Sequence, residues 1–432
     1  MKPYPRFRSL SLAAALASPF LFSSVAGATG ATTESPPAVW ISSWFASPQP
    51  VWDALFALPT GMPGQLQNQT LQETVKLSLG GQRLRVVLSN RYGSQALVIG
   101  AAQVARIQHG MAVEPASNRA LRFGGQPGVT IAPGAQAVSD PVDLPVDALT
   151  ELAISTYFPQ ATPVTTFHWG AQQTALLTRG NTSVAQDLAG ATPLEGRAFL
   201  AGVWVQRKEA APVVVAFGDS VTDGNGSTPG LNRRWPDFLA RRLAGEGVGV
   251  VNAGISGARV WSDKMGVNAM ARFDADVLSQ PGVRTVVLMM GINDIGWPGS
   301  AFAPGDPAMT APRLAEGYRQ LAEAAHARNV RIVAATIPPF EGALEGTPVT
   351  GYYSPAKDAV RREVNQWIRG SGVFDAVVDF DALLQDPAHP ARLLPAYDSG
   401  DHLHPGDAGY EAMAKAVDDA ALFGRKTVER RH

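Results

Sequence analysis

The hydrophobic period of this chain changes once, and that change limits the folds open to it. Beyond about residue 212, short apolar runs alternate with helical stripes. Strands are expected over Val213–Phe217, Val248–Asn252, Thr285–Met290, Arg331–Ile337 and Ala376–Phe380. Between them, "RRWPDFLARRLAGEG" sets Trp235, Phe238, Leu239 and Leu243 on one stripe and stops at Gly245. "SPAKDAVRREVNQWIRGSG" opens with a capping serine, Ser354, and a first-turn proline, Pro355. It gathers Val360, Val364, Trp367 and Ile368 on one face and ends at Gly370. Alternating β and α units imply a parallel sheet with helices on both sides.

The half before the change reads differently. In "TVKLSLGGQRLRVVLSN", Val75, Leu77 and Leu79 precede Gly80-Gly81, and Leu84, Val86 and Leu88 follow. Two period-2 runs around a Gly-Gly pair predict a β-hairpin. "ELAISTYF", from Glu151 to Phe158, alternates in the same way, and turns such as "GGQPGVTIAPG" separate the strands. Helical spacing is confined to a short stretch near Val51 to Leu58. These features predict an all-β sandwich or jelly-roll over 29–205, and an α/β domain over 206–424 after the charged, proline-ended boundary "QRKEAAP".

The ends belong to neither half. Lys2, Arg6 and Arg8, then "SLSLAAALASPFLFSSVAGA" and the small residues Ala26-Gly27-Ala28, have the layout of a cleavable signal peptide over 1–28. The expected destination is secretion or the periplasm, with no stable membrane insertion after cleavage. The basic tail 425–432 reads as solvated. A net charge of −1 gives no support for nucleic-acid binding. The chain has no cysteine, so disulfides, thiolate metal sites and a cysteine nucleophile are excluded.

The first strand of the α/β half runs into Gly218-Asp219-Ser220, where small polar residues suit a tight turn. Ligands of open α/β sheets bind at the carboxyl ends of their strands, so Ser220 is either a turn residue or a nucleophile. A serine nucleophile needs a base and a group to orient that base. "DSGDHLHPGDAGY" offers both, with Asp401 and His404 three residues apart before a helix whose face is Tyr410, Met413 and Val417. Asp401 would fix the imidazole tautomer through Nδ1 and leave Nε2 to take the serine proton. His402, beside Asp401, is the competing base. His326 falls off the apolar stripe of its helix, His109 and His168 lie in the β-rich half, and His389 and His432 lack a carboxylate at this spacing.

Acyl transfer also requires donors for a developing oxyanion. "VVNAGISG" ends its strand at Gly254, and "VVLMMGINDIG" ends its strand at Gly291 and offers the Asn293 amide. The backbone N–H groups of Ser220 and Gly254 and the Asn293 side chain are the candidates, although Asn293-Asp294 also suits a plain turn.

Gly218-Asp219-Ser220, Gly254, Gly291-Ile292-Asn293-Asp294 and Asp401-x-x-His404-Pro405 together resemble the four blocks of the SGNH, or GDSL, hydrolases, in order, over roughly residues 212 to 424. The resemblance implies a flavodoxin-like three-layer α/β/α fold and serine ester hydrolysis without metal or other cofactor. It assigns Ser220 as nucleophile, His404 as general base and acid, Asp401 as its partner, and Ser220, Gly254 and Asn293 as oxyanion donors. "WISSWFASPQ" and "GGQRLRVVLSNRYGS" look like exported bacterial members with a β-rich domain ahead of the hydrolase.

The resulting expectation is an exported hydrolase of short-chain acyl esters, above all acetyl esters on carbohydrate. The alternatives are a longer-chain lipase, lysophospholipase or thioesterase, and an acyltransferase using the same triad. Trp261 and Trp297 follow the second and third blocks, where they would line a substrate site or pack in the core. Two readings of other classes remain: a metallohydrolase built on Asp219, Asp223, Asp401, His402 and His404, and a carbohydrate-binding protein with a decayed site.

Overall fold

In a computed structural model, residues 38–53, 56 and 58–424 are described. The segment 1–28 expected to be a signal peptide and the tail 425–432 lie outside the described residues, as do Ala54, Leu55 and Ala57. Of the stretch near Val51 to Leu58, the described residues belong to no helix.

The β-rich region contains β1 (Val39–Phe45), β2 (Gln69–Lys76), β3 (Gly81–Ser89), β4 (Ala101–His109), β5 (Glu151–Phe158), β6 (Thr166–His168) and β7 (Leu200–Arg207), with shorter strands at the edges. β3 lies beside β7, which also pairs with β1, while β5 runs between β2 and β4 in a second sheet. All these pairings are antiparallel. The inward residues Leu84, Val86 and Leu88 of β3 share one apolar cluster with Leu71 and Val75 of β2 and Leu152 and Ile154 of β5. This is the two-sheet packing that the alternating pattern requires.

The expected hairpin at Gly80-Gly81 does not form. β2 and β3 belong to different sheets, and the glycines carry the chain from one to the other. Neither has positive φ, whereas a two-residue type I′ turn needs it at both central positions. Their need for glycine is steric. A Cβ on Gly80 would lie 2.5 Å from the Val146 carbonyl oxygen, and one on Gly81 would lie 2.6 Å from that of Gln206.

Five parallel strands follow: β8 (Val213–Gly218), β9 (Gly249–Gly254), β10 (Val283–Met289), β11 (Arg331–Ala335) and β12 (Ala376–Val378). Their spatial order is β9-β8-β10-β11-β12, which is the flavodoxin-like order 2-1-3-4-5. β12 ends earlier than its apolar run suggests, because Asp379 caps a new helix that starts at Phe380.

Alternation along β8 divides the core. Val213, Val215 and Phe217 face a cluster containing Phe273, Leu314, Leu321, Val364 and Ile368, and that cluster continues into the β-rich region. Val214 and Ala216 face the other side, against Trp235, Leu239, Leu243, Tyr410 and Met413. The helices supplying these faces include α1 (Ser220–Asp223), α2 (Trp235–Leu243), α3 (Ala269–Phe273), α4 (Ile292–Gly296), α5 (Ala311–Ala327), α6 (Pro355–Gly370), α7 (Phe380–Leu384) and α8 (Asp407–Ala416). Ser354 caps α6 through the Lys357 N–H, as its position before Pro355 suggests. α2 passes into a further turn, and the left-handed residue that closes it is Gly247 rather than Gly245.

Phe217 is fully buried, edge-on to Phe273 at 5.3 Å and under the Arg272 guanidinium at 4.2 Å. Phe217→Ala should therefore lower the unfolding free energy by about 3–5 kcal/mol. Urea unfolding followed by tryptophan fluorescence measures this, and a loss under about 1 kcal/mol would contradict the packing described.

Candidate active site

The site starts where β8 stops. Gly218 admits no side chain, since a Cβ there would lie 2.2 Å from Thr222 Oγ1 and 2.5 Å from the Met289 carbonyl oxygen. Asp219 caps the next turn by accepting the Val221 N–H at 3.1 Å. Ser220 is therefore the first residue of α1, raised at the sheet's carboxyl edge. Arg272, fully buried, donates to the Gly218 carbonyl at 3.0 Å and to the Ala253 carbonyl at 2.8 Å. It thereby ties the ends of β8 and β9 together, adding to the Ile255 N–H that the Gly218 carbonyl also accepts at 3.2 Å.

The loop before α8 holds two Asp–His pairs. Asp401 Oδ1 accepts the N–H groups of Leu403 and His404 at 2.9 and 2.8 Å, and its Oδ2 meets His404 Nδ1 at 2.6 Å. His404 Nε2 then reaches Ser220 Oγ at 2.8 Å. Asp398 makes the second pair, meeting His402 Nδ1 at 2.5 Å and accepting the His402 N–H at 3.1 Å. His402 has φ +60°, and its ring lies beside Gly342. The structure thus brings Ser220, His404 and Asp401 into one line and leaves His402 outside it. Ser220 and His404 are only 4% and 7% exposed, so their contact is shielded from bulk water.

Asn293 lies at the start of α4. Its Oδ1 accepts from Trp297 Nε1 at 3.0 Å and from the Tyr352 hydroxyl at 2.8 Å, while Nδ2 donates to the Ala258 carbonyl at 3.1 Å. These partners fix which end of the amide is nitrogen and leave its second N–H available. The Gly254 N–H donates to Asn252 Oδ1 at 2.8 Å, so among the expected oxyanion donors it already has a side-chain partner. Trp297 is buried, stacks on Phe302 at 4.9 Å and acts through Asn293. Trp261 lies against α5, donating Nε1 to the Arg313 carbonyl with the Arg313 guanidinium 3.7 Å from its ring centre.

The aspartates around the site are shifted in opposite directions. Burial raises the pKa of Asp401, but the His404 hydrogen bond and charge and the backbone N–H groups outweigh it, holding the carboxyl well below its usual range. Asp401 therefore stays ionised at neutral pH. Burial pushes Asp219 up to about 7, against the Val221 N–H and the charge of His404. Asp294 is likewise raised by burial to about 6, while accepting the Val260 N–H at 2.8 Å.

Two residues at the site are joined in a way the sequence does not show, where Asp223 reads only as a possible metal ligand and His168 as a residue of the β-rich half. Asp223, at the end of α1, accepts the Ser256 N–H at 3.0 Å and its hydroxyl at 2.7 Å, and meets Nε2 of His168 at 2.9 Å. His168, which the sequence places among the strands of the β-rich half, has its partner 55 residues away. Among the described residues, no cluster of three or more His, Asp or Glu side chains is placed to hold a metal ion.

The fold and this geometry define a class: a parallel α/β hydrolase with a serine–histidine–aspartate array at the strand ends. Residues 216–412 match the GDSL-like lipase/acylhydrolase family, so the chain carries a domain of that family and is an ester hydrolase. Solved structures that resemble it include a GDSL-like lipase from Bacteroides thetaiotaomicron, with 19% identity over 48% of this chain and 87% of that one, at a TM-score of 0.34. An acetyl xylan esterase shows 20% identity over 48% and 97%, at a TM-score of 0.35. An alpha/beta hydrolase enzyme from the metagenome of Lake Arreo, Spain, shows 24% identity over 49% and 96%, also at 0.35. No curated protein matches the chain.

The raised pKa of Asp219 has a definite sign in stability. Its folded value of about 7 lies above the ordinary 3.8, so the folded state favours the protonated form and loses stability as pH rises from about 4 to about 7. Asp219→Asn keeps the acceptor for Val221 without the charge. Its advantage over wild type in thermal unfolding should be larger at pH 8 than at pH 5. An equal shift at both pH values would contradict a buried, raised carboxyl.

Proposed function

We propose that the protein is an exported serine ester hydrolase that carries the acyl group on Ser220 and acts on short acyl esters, above all acetyl groups on carbohydrate. The observation that carries this reading is the continuous contact from Asp401 through His404 to Ser220, at 2.6 and 2.8 Å. In the first half-reaction Ser220 Oγ attacks the ester carbonyl carbon while His404 Nε2 takes the hydroxyl proton. Asp401, ionised, stabilises the imidazolium so formed. The tetrahedral oxyanion would rest on the free Asn293 amide N–H and the Ser220 N–H, with Gly254 joining if its bond to Asn252 yields. Collapse expels the alcohol, which leaves with the proton from His404. In the second half-reaction His404 activates water against the acyl-serine, and the acid departs.

Support for short acyl groups comes from the burial of the nucleophile and its base, since Ser220 and His404 are both almost fully covered. Support for export comes from the charged and then apolar sequence before residue 29. Among the described residues no helix is long and apolar enough to cross a membrane.

The test is hydrolysis of p-nitrophenyl esters with acyl chains of two to twelve carbons, by wild type and Ser220→Ala, with and without EDTA. The reading expects the highest rate on the acetyl ester, resistance to EDTA and loss of turnover in the variant. A maximum on long chains would replace the short-acyl reading with a lipase or thioesterase. Turnover surviving in Ser220→Ala would remove the serine mechanism.

A further inference from the structure

The geometry points to His168 of the β-rich region as a positioning residue of the active site, holding the nucleophile turn in register with the oxyanion segment through Asp223. This inference rests on the reading of Ser220 as nucleophile.

His168 closes β6, which pairs with Gln49–Pro50 and with Arg197–Ala198 of the same region. Its ring is buried, with Nδ1 2.9 Å from the Ser47 carbonyl and Nε2 2.9 Å from Asp223 Oδ1. A carbonyl oxygen can only accept, so Nδ1 carries a proton. Nε2 then shares a second hydrogen bond with Asp223 Oδ1.

Asp223 stands at a junction. It is the last residue of α1, three after Ser220. Its Oδ2 takes both the N–H and the hydroxyl of Ser256, two residues past Gly254. Its backbone also presses on β9, since a Cβ on Gly254 would lie 2.3 Å from the Asp223 nitrogen. One buried carboxylate therefore sets the spacing between the serine turn and the segment after β9. His168 holds the Oδ1 end of that carboxylate from the β-rich side. Gln172 of the same region adds a second tie, donating Nε2 to Asn225 Oδ1 at 3.1 Å just past the turn.

Removing the imidazole leaves Asp223 Oδ1 buried and short of a donor, which a buried carboxylate relieves by moving toward other partners. Asp223 belongs to α1, so such a move carries the serine turn with it. A shift of about 1 Å at a reacting group can cost roughly 100-fold in rate without touching substrate binding. The β-rich region is on this account part of the catalytic assembly, and the α/β half does not build its site alone.

The experiment compares His168→Leu, His168→Gln and His168→Asn with wild type and Ser220→Ala in the full chain, reading kcat and KM on p-nitrophenyl acetate and the unfolding temperature of each. His168→Leu should lose about 10- to 100-fold in kcat, with KM changed less than about threefold. Glutamine sets a donor where Nε2 stood and should recover most of the rate. Asparagine sets its donor where Nδ1 stood, toward Ser47, and should not. If leucine unfolds the protein, the split between glutamine and asparagine decides the question alone. Equal rates for those two, or a lowered unfolding temperature with wild-type kcat, would overturn the positioning role. Wild-type turnover in Ser220→Ala would instead overturn the reading of the site.

Discussion

Strand β8 is buried on both faces, and the site depends on where that strand stops. Its odd-numbered residues, Val213, Val215 and Phe217, enter one core cluster, and Val214 and Ala216 enter the other. A strand fixed from both sides cannot slip by one residue without exchanging its faces. Its end is therefore fixed in space, and Gly218 makes that end abrupt by leaving no room for a side chain. Ser220 inherits its position from this packing, and Arg272 locks the neighbouring end of β9 to it.

Charge is then distributed by environment rather than by residue type. Asp401 lies among donors and is held ionised. Asp219, the residue before the nucleophile, is buried with fewer donors and pushed up to about 7. Asp223 is buried too, but it faces Ser256 and His168 and serves as a tie between segments. Three aspartates near one serine can thus fill three roles, because ionisation follows desolvation and hydrogen bonding rather than proximity alone.

Much of this was legible before any coordinates. The five parallel strands, and the helices at Trp235 and Pro355, follow from period and capping, which act over a few residues. The hairpin at Gly80-Gly81 was misread because a Gly-Gly pair between alternating runs looks the same whether the chain reverses or crosses between sheets. Only the backbones of Val146 and Gln206, distant in sequence, distinguish the two. His168 was invisible for a similar reason, since its partner Asp223 lies on another element and no local spacing records the contact. The two candidate bases are separated by their partners, since His402 meets Asp398 and His404 meets Asp401, a division that the sequence Asp-His-Leu-His does not announce.

The central claim is that Ser220 forms the bond to the acyl group. A phosphonate ester that inactivates serine hydrolases, followed by peptide mapping, tests it most directly. The account expects one phosphonyl group per chain, attached to Ser220, with activity lost in proportion to its incorporation. Ester turnover that persists in the fully modified enzyme, or inactivation with the adduct on another residue, would contradict it.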